Sequence, residues 1–264
     1  MTPPTLDGTG SRRSLRCTGG PCDTPGMTQA PNYDAIWSSI ARSPLQGAYI
    51  AEVYWLAANI VQRAEEVFAT TKKPKTKTEG FIKVDPDLMS SLTMLVGEAV
   101  RIRAMITERG RNRNQSPAEH EIQVRRAGWI RNVLLKDVQL KTILEADVRN
   151  SLEHFDEHLD SVALRCYEGT IPRPTTVPLD VLVGRRRTFE QFPIGGIVPH
   201  VENLRVYIAT EQVFVNAGKE ISIRALRDEA RRIVKRLQPL VPKDETNPEV
   251  RGSTVFVLRD DSFS

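Results

Sequence analysis

The chain has 264 residues, enough for one large or two small domains with a substantial core, and its 40% hydrophobic and 27% charged content is that of an ordinary globular protein. A net charge of +4, from 37 basic and 33 acidic side chains, is too weak a bias to imply a nucleic-acid partner, so any such case rests on local patches. Three cysteines (Cys17, Cys22, Cys166) give no disulfide framework, no apolar run reaches the length of a membrane span, and the N-terminal arginines lack an apolar stretch behind them. A reduced, cytoplasmic protein with no membrane segment is the expectation.

Residues 1–30 are rich in Thr, Pro and Gly and offer little to bury, which predicts a disordered segment. From Tyr33 onward Ile36, Ile40, Tyr49, Val53, Leu56, Ile60, Ala64 and Phe68 recur at helical spacing, broken at Ser43-Pro44, so a short helix and a long one over about 46–70 are expected. Residues 71–80 form a basic, proline-containing loop. Asp85-Pro86-Asp87 starts the next helix, with Asp85 as cap and Pro86 in the first turn, and Leu88, Leu92, Leu95, Val96, Ala99, Ile102 and Ile106 carry its apolar stripe to about 109. Ser116-Pro117-Ala118-Glu119 reads as a capping box opening a helix with Ile122, Trp129, Ile130, Val133 and Leu134. A helical run over 138–165 follows, in which Leu144, Val148, Leu152, Phe155, Leu159 and Val162 step by three and four residues.

Pro172, Pro174 and Pro178 close this helical part, and a loop-rich connection follows. Arg205–Ala209, Gln212–Asn216 and Glu220–Ile223 alternate as strands, with Asn216-Ala217-Gly218-Lys219 as a turn, and residues 224–237 are again helical. An apolar patch at Val255–Leu258 lies in a polar tail. The expected fold is mainly α: a helical bundle over 31–169, a small C-terminal α+β appendage over 170–242 packed on it, and a tail over 243–264.

The chemistry-bearing stretch is Arg149-Asn150-Ser151-Leu152-Glu153-His154. On a continuous helix at about 100° per residue, His154 and His158 share a flank, Asn150 lies within reach of His154, and Arg149 projects from the other side of the apolar stripe. Arginine and histidine would then both face a groove at an interface between two copies. Arg-Asn-x-x-x-His late in a helical bundle resembles the signature of HEPN domains (higher eukaryotes and prokaryotes nucleotide-binding), with Arg149, Asn150 and His154 matching position by position. That resemblance implies metal-independent RNA cleavage by a homodimer, with no cofactor, by attack of a ribose 2′-hydroxyl on the neighbouring phosphate. His154 would move the proton, Arg149 would hold the phosphate, and Asn150 would orient one or the other. A toxin or defence role, with an antitoxin or neighbouring-gene partner, belongs to the same picture. The chain departs from the toxins paired with a nucleotidyltransferase antitoxin in carrying Asp156 where they have tyrosine.

Two other readings stand beside this one. His154-Phe155-Asp156-Glu157-His158 matches the His-x-x-Glu-His pattern of inverted zincins, with His154 and His158 as metal ligands, Glu157 as base and a third ligand from Glu211, Glu220 or Glu229. The other is a non-catalytic α-helical interaction or dimerisation module, in which the same polar residues are a solvated helix flank. Arg185-Arg186-Arg187 is a weaker candidate for gripping RNA phosphate, and the arginines of 224–235 form one edge of the last helix. Trp37, Trp55 and Trp129 sit in apolar patterns and are expected in the core.

Overall fold

Helix α1 (Pro44–Thr70) forms around Val53, Leu56, Ile60, Ala64 and Val67, whose spacing of three and four residues puts them on one fully buried stripe. The computed structural model describes residues 44–71, 85–145, 152, 154–186 and 196–241, all within the unit Tyr33–Ser264. The expectations for residues 1–43, including Trp37, for most of the basic loop before Asp85 and for the tail with Val255–Leu258 lie outside these residues.

Helix α2 (Pro86–Ile106) packs along α1. Its start is the expected one: the Asp85 side chain accepts the Leu88 amide at 3.2 Å, and Pro86 occupies a position where no amide partner is needed. Thr107 ends it, with extended backbone. Helix α3 (Pro117–Trp129) carries the complete capping box, the Ser116 hydroxyl accepting the Glu119 amide and the Glu119 carboxylate accepting the Ser116 amide. It continues into a π-helical turn at Ile130–Leu134, which buries Ile130 and Leu134 but leaves Val133 exposed. Trp55 and Trp129 are half-buried against the core rather than inside it.

Helix α4 is a single turn, Lys141–Leu144, and α5 runs Phe155–Tyr167. The strands follow: β1 (Thr175–Thr176), β2 (Leu179–Val183), β3 (His200–Val201), β4 (Arg205–Ile208), β5 (Val213–Asn216) and β6 (Lys219–Ser222), then α6 (Ile223–Leu237). Strands β2, β4, β5 and β6 form one sheet in that order, with β2 parallel to β4 and the rest antiparallel; β1 and β3 pair separately. Strand β2 falls where the sequence reads as loop-rich connection. Its five residues are bounded by Pro178 and Gly184, and its pairing with β4 crosses more than twenty residues, so no local turn signal marks it.

The register explains how the sheet joins the helices. Leu182, Tyr207, Phe214 and Ile221 are cross-strand partners in succession, and because side chains alternate along a strand they form one row on one face. That row is buried in the same core as α1, α2 and α6. Val183, Val206, Ile208 and Val215 form the opposite face. Helix α6, capped by the Ser222 hydroxyl on the Ala225 amide, lays Ile223, Leu226, Ala230, Ile233 and Leu237 against α1. The result is mainly α with some strands, and the strands close the helical core instead of forming a body of their own. No helix of the described residues is long and apolar enough to cross a membrane.

Candidate active site

The helical run expected over 138–165 is interrupted. Helix α4 ends at Leu144, and Glu145 is extended at φ −61°, ψ 127°. Leu152 is helical, but His154 leaves helical geometry at φ −115°, ψ 34° and stands at the head of α5. The two ends dock on different partners. Both carboxylate oxygens of buried Glu229, from α6, accept the first amides of α4, Thr142 at 2.8 Å and Ile143 at 2.9 Å. Helix α5 instead belongs to a small cluster in which Val162 packs with Ile171 and Leu204, beside the sheet. A single helix over 138–165 is therefore broken at Glu145 and again at His154. Arg149 and Asn150 lie outside the described residues, as does Arg187.

His154 has 54% of its side chain exposed, and its Nδ1 lies 2.9 Å from Glu157 Oε1, three residues along α5. A carboxylate only accepts, so the shared hydrogen sits on Nδ1, and Nε2 is the nitrogen that would exchange a proton with a substrate. The pairing also orients the ring. The next residue, Phe155, is covered by the guanidinium of Arg205 at 4.1 Å from its ring centroid, and Arg205 Nε is 3.2 Å from Asp180 Oδ1. At the other end of α5, Arg165 donates to Glu202 at 2.8 Å and His200 lies 3.4 Å from the same carboxylate. The hydrogen bonds from Arg165 hold the Glu202 carboxyl below its ordinary range.

The structure disposes of the metal ligands differently from the zincin pattern. His158 follows His154 by one turn, its amide donating to the His154 carbonyl at 3.2 Å. Glu157, the expected base, is engaged with His154. Of the three candidates for a further ligand, Glu211 and Glu220 both accept from Arg186, and Glu229 spends both oxygens on α4 amides. Among the described residues no group of three or more His, Cys, Asp or Glu is disposed to hold a metal ion.

Arg186 is likewise committed. It donates to Glu211 at 3.0 Å and to both oxygens of Glu220 at 2.6 and 3.0 Å, and these bonds push its pKa above the ordinary arginine value. Its charge is neutralised by two carboxylates, so it anchors the chain after β2 to the β5–β6 end of the sheet and is not poised as a phosphate clamp. Arg185 is exposed beside it. On α6, Arg227 and Arg231 both donate to Glu65 of α1, and Arg224 donates to Gln212, so these arginines are paired while Arg224 and Arg231 stay exposed to solvent.

Two supports of His154 differ in how readily they could be found. Glu157 is legible from the i,i+3 spacing. Arg205 is not, because it reaches Phe155 across fifty residues of chain and no local pattern announces the contact. No family model, no curated protein and no solved structure matches the chain.

Proposed function

We propose that the chain is a metal-independent endoribonuclease of HEPN type, acting in the cytoplasm as a homodimer in which each copy supplies Arg149, Asn150 and His154 to a shared cleft. The observation that carries this reading is the coincidence of the Arg-Asn-x-x-x-His pattern with an exposed histidine at the head of α5, whose Nδ1 is held by Glu157. His154 Nε2 takes the proton from a ribose 2′-hydroxyl. The oxygen bonds to the adjacent phosphorus, and the bond from phosphorus to the 5′-oxygen breaks. The 5′-oxygen takes a proton and leaves as a hydroxyl, and the phosphate becomes a 2′,3′-cyclic ester. Arg149 neutralises the charge that accumulates on the phosphate oxygens. Because no metal takes part, the reaction runs in a chelator.

The test is incubation of total RNA with the protein in EDTA. His154→Ala is expected to lose about 10²–10⁴-fold in rate, the range of a general acid–base group. Arg149→Ala is expected to lose cleavage as well, with the circular dichroism of both variants unchanged. Absence of any cleavage by the wild type, or full activity of His154→Ala, overturns the proposal.

A second reading, the non-catalytic interaction module, is favoured by one observation. Helix α5 buries only Val162 fully and leaves Leu159, Leu164 and Tyr167 exposed, Tyr167 by 88%. The same RNA assay decides between the two.

A further inference from the structure

Helix α6 carries arginine and lysine along its length, but two of its edges are treated differently. On the edge facing α1, Arg227 and Arg231 pair with Glu65, and Arg227 also with Asp228. On the edge facing the segment before α4, Arg232 donates to the Gln139 carbonyl at 2.9 Å and Arg236 to the Leu134 carbonyl at 2.9 Å. Those acceptors are neutral backbone groups, and neither arginine meets a carboxylate among the described residues. Each bond uses one of the five N–H donors of a guanidinium and fixes the fork in place. Lys136, on the segment between the π turn and α4, and Lys141, the first residue of α4, are exposed close in sequence to these two anchor points and also form no ion pair among the described residues. The acidic residue within this segment is Asp137.

We infer that Lys136, Lys141, Arg232 and Arg236 form a docking surface for the phosphate backbone of RNA. The edge of α6 facing α1 gives its arginines a carboxylate neighbour. On this edge two arginines are preorganised by backbone carbonyls without an ion pair among the described residues, so their remaining donors and their charge can serve a polyanion, and binding breaks no ion pair among those residues first. The choice of RNA among polyanions rests on the endoribonuclease reading. The surface itself rests on the charge arrangement.

The experiment is fluorescence anisotropy of a labelled single-stranded RNA titrated with the full chain across a salt series, using wild type, Lys136→Glu/Lys141→Glu and Arg232→Lys/Arg236→Lys. Both lysines are exposed and make no side-chain hydrogen bond or ion pair among the described residues, so their replacement is expected to leave the fold intact, checked by circular dichroism. The double variant is expected to bind more weakly, and the slope of log K against log salt is expected to fall by about 1.4, from about 0.7 per phosphate contact on a single strand. A conservative pair, Arg232→Lys/Arg236→Lys, is expected to keep the slope, since charge is retained. An unchanged slope in the glutamate variant overturns the surface whether or not the wild type cleaves RNA. A reduced slope without any cleavage leaves the surface standing and rejects the nuclease. Binding of polyglutamate or phosphatidylserine vesicles through the same lysines, with no binding of RNA, also overturns it.

Discussion

The guanidinium of Arg205 lies 4.1 Å from the centroid of the Phe155 ring, and this contact joins the first residue of α5 to the sheet. It matters because the other attachments of α5 among the described residues are the buried Val162 in its middle and, near its end, the Arg165–Glu202 pair and the bond from Arg173 to the Cys166 carbonyl. Arg205 is therefore a positioning residue for His154, which precedes Phe155. A cation over an aromatic face contributes roughly 0.5–2 kcal/mol, depending on how far it is desolvated. Arg205→Met keeps the apolar stem and removes the charge. It is expected to raise hydrogen exchange in 154–167 while leaving α1, α2 and α6 protected, and to lower RNA cleavage with less effect on RNA binding. Exchange that rises uniformly through the chain would show a global loss of stability instead.

Glu229 is the buried carboxylate that fixes α4. Its two oxygens accept two amides at once, and the residue is 4% exposed. An amide at this position offers one acceptor and turns a donor against the other N–H. Hydrogen bonds to a charged group contribute roughly 1.5–3 kcal/mol, so Glu229→Gln is expected to cost about 2–3 kcal/mol. For a chain of this size that is a fall in melting temperature of about 5–10 °C by calorimetry. A shift under 1 °C would mean that α4 is held by packing alone.

What the sequence conveys about this protein follows from how local each determinant is. The caps at Asp85 and Ser116, the apolar stripes of α1, α2 and α6, and the hairpin at Ala217-Gly218 depend on residues within a few positions of each other, and they are legible. Strand β2 and the break at Glu145 are not. The first depends on a parallel partner beyond residue 200, the second on a carboxylate 87 residues from Thr142. The periodic stripe from Leu144 to Val162 is present in the sequence, yet its two ends serve different cores, and the run is broken at Glu145 and His154, which the period does not reveal. At the candidate site the His154–Glu157 pairing was available from spacing, whereas the neutralisation of Arg186 by Glu211 and Glu220 required the sheet to be assembled.

Glu98, on α2, faces Arg63 of α1 at 3.4 Å and is 9% exposed. Burial raises its carboxyl above the ordinary value, more than Arg63 and Asn59 lower it. The sign of the pH dependence follows. A group whose folded pKa is raised contributes stability that is fully present below its unfolded pKa, near 4.5, and is lost as pH rises through the folded value. Glu98→Gln imitates the neutral form at every pH. The stability of the variant relative to the wild type is therefore expected to increase as pH rises from about 4 to 7, measured by urea denaturation at each pH. A difference that is flat, or that runs the other way, would mean that the pair with Arg63 outweighs the cost of burial.

The turn between β5 and β6 places Ala217 at φ 48° and Gly218 at φ 73°. Two successive residues with positive φ define the mirror-image turn that fits the twist of a two-residue hairpin, and its preferred sequence is Asn-Gly. Glycine suits the second position. Alanine at the first is strained, because its Cβ approaches the carbonyl oxygen, at a cost of roughly 1–2 kcal/mol. The Ala217 amide donates to the Leu204 carbonyl at 2.7 Å, a backbone bond that any residue except proline can make. Ala217→Asn is therefore expected to stabilise the chain by about 1 kcal/mol, seen as a rise of about 2–4 °C in melting temperature. Gly218→Ala is expected to lower it by a similar amount, since nothing lies within 4 Å of the added Cβ and only the backbone strain acts. If both substitutions move the melting temperature in the same direction, the strain assigned to Ala217 is not what sets the stability of this hairpin.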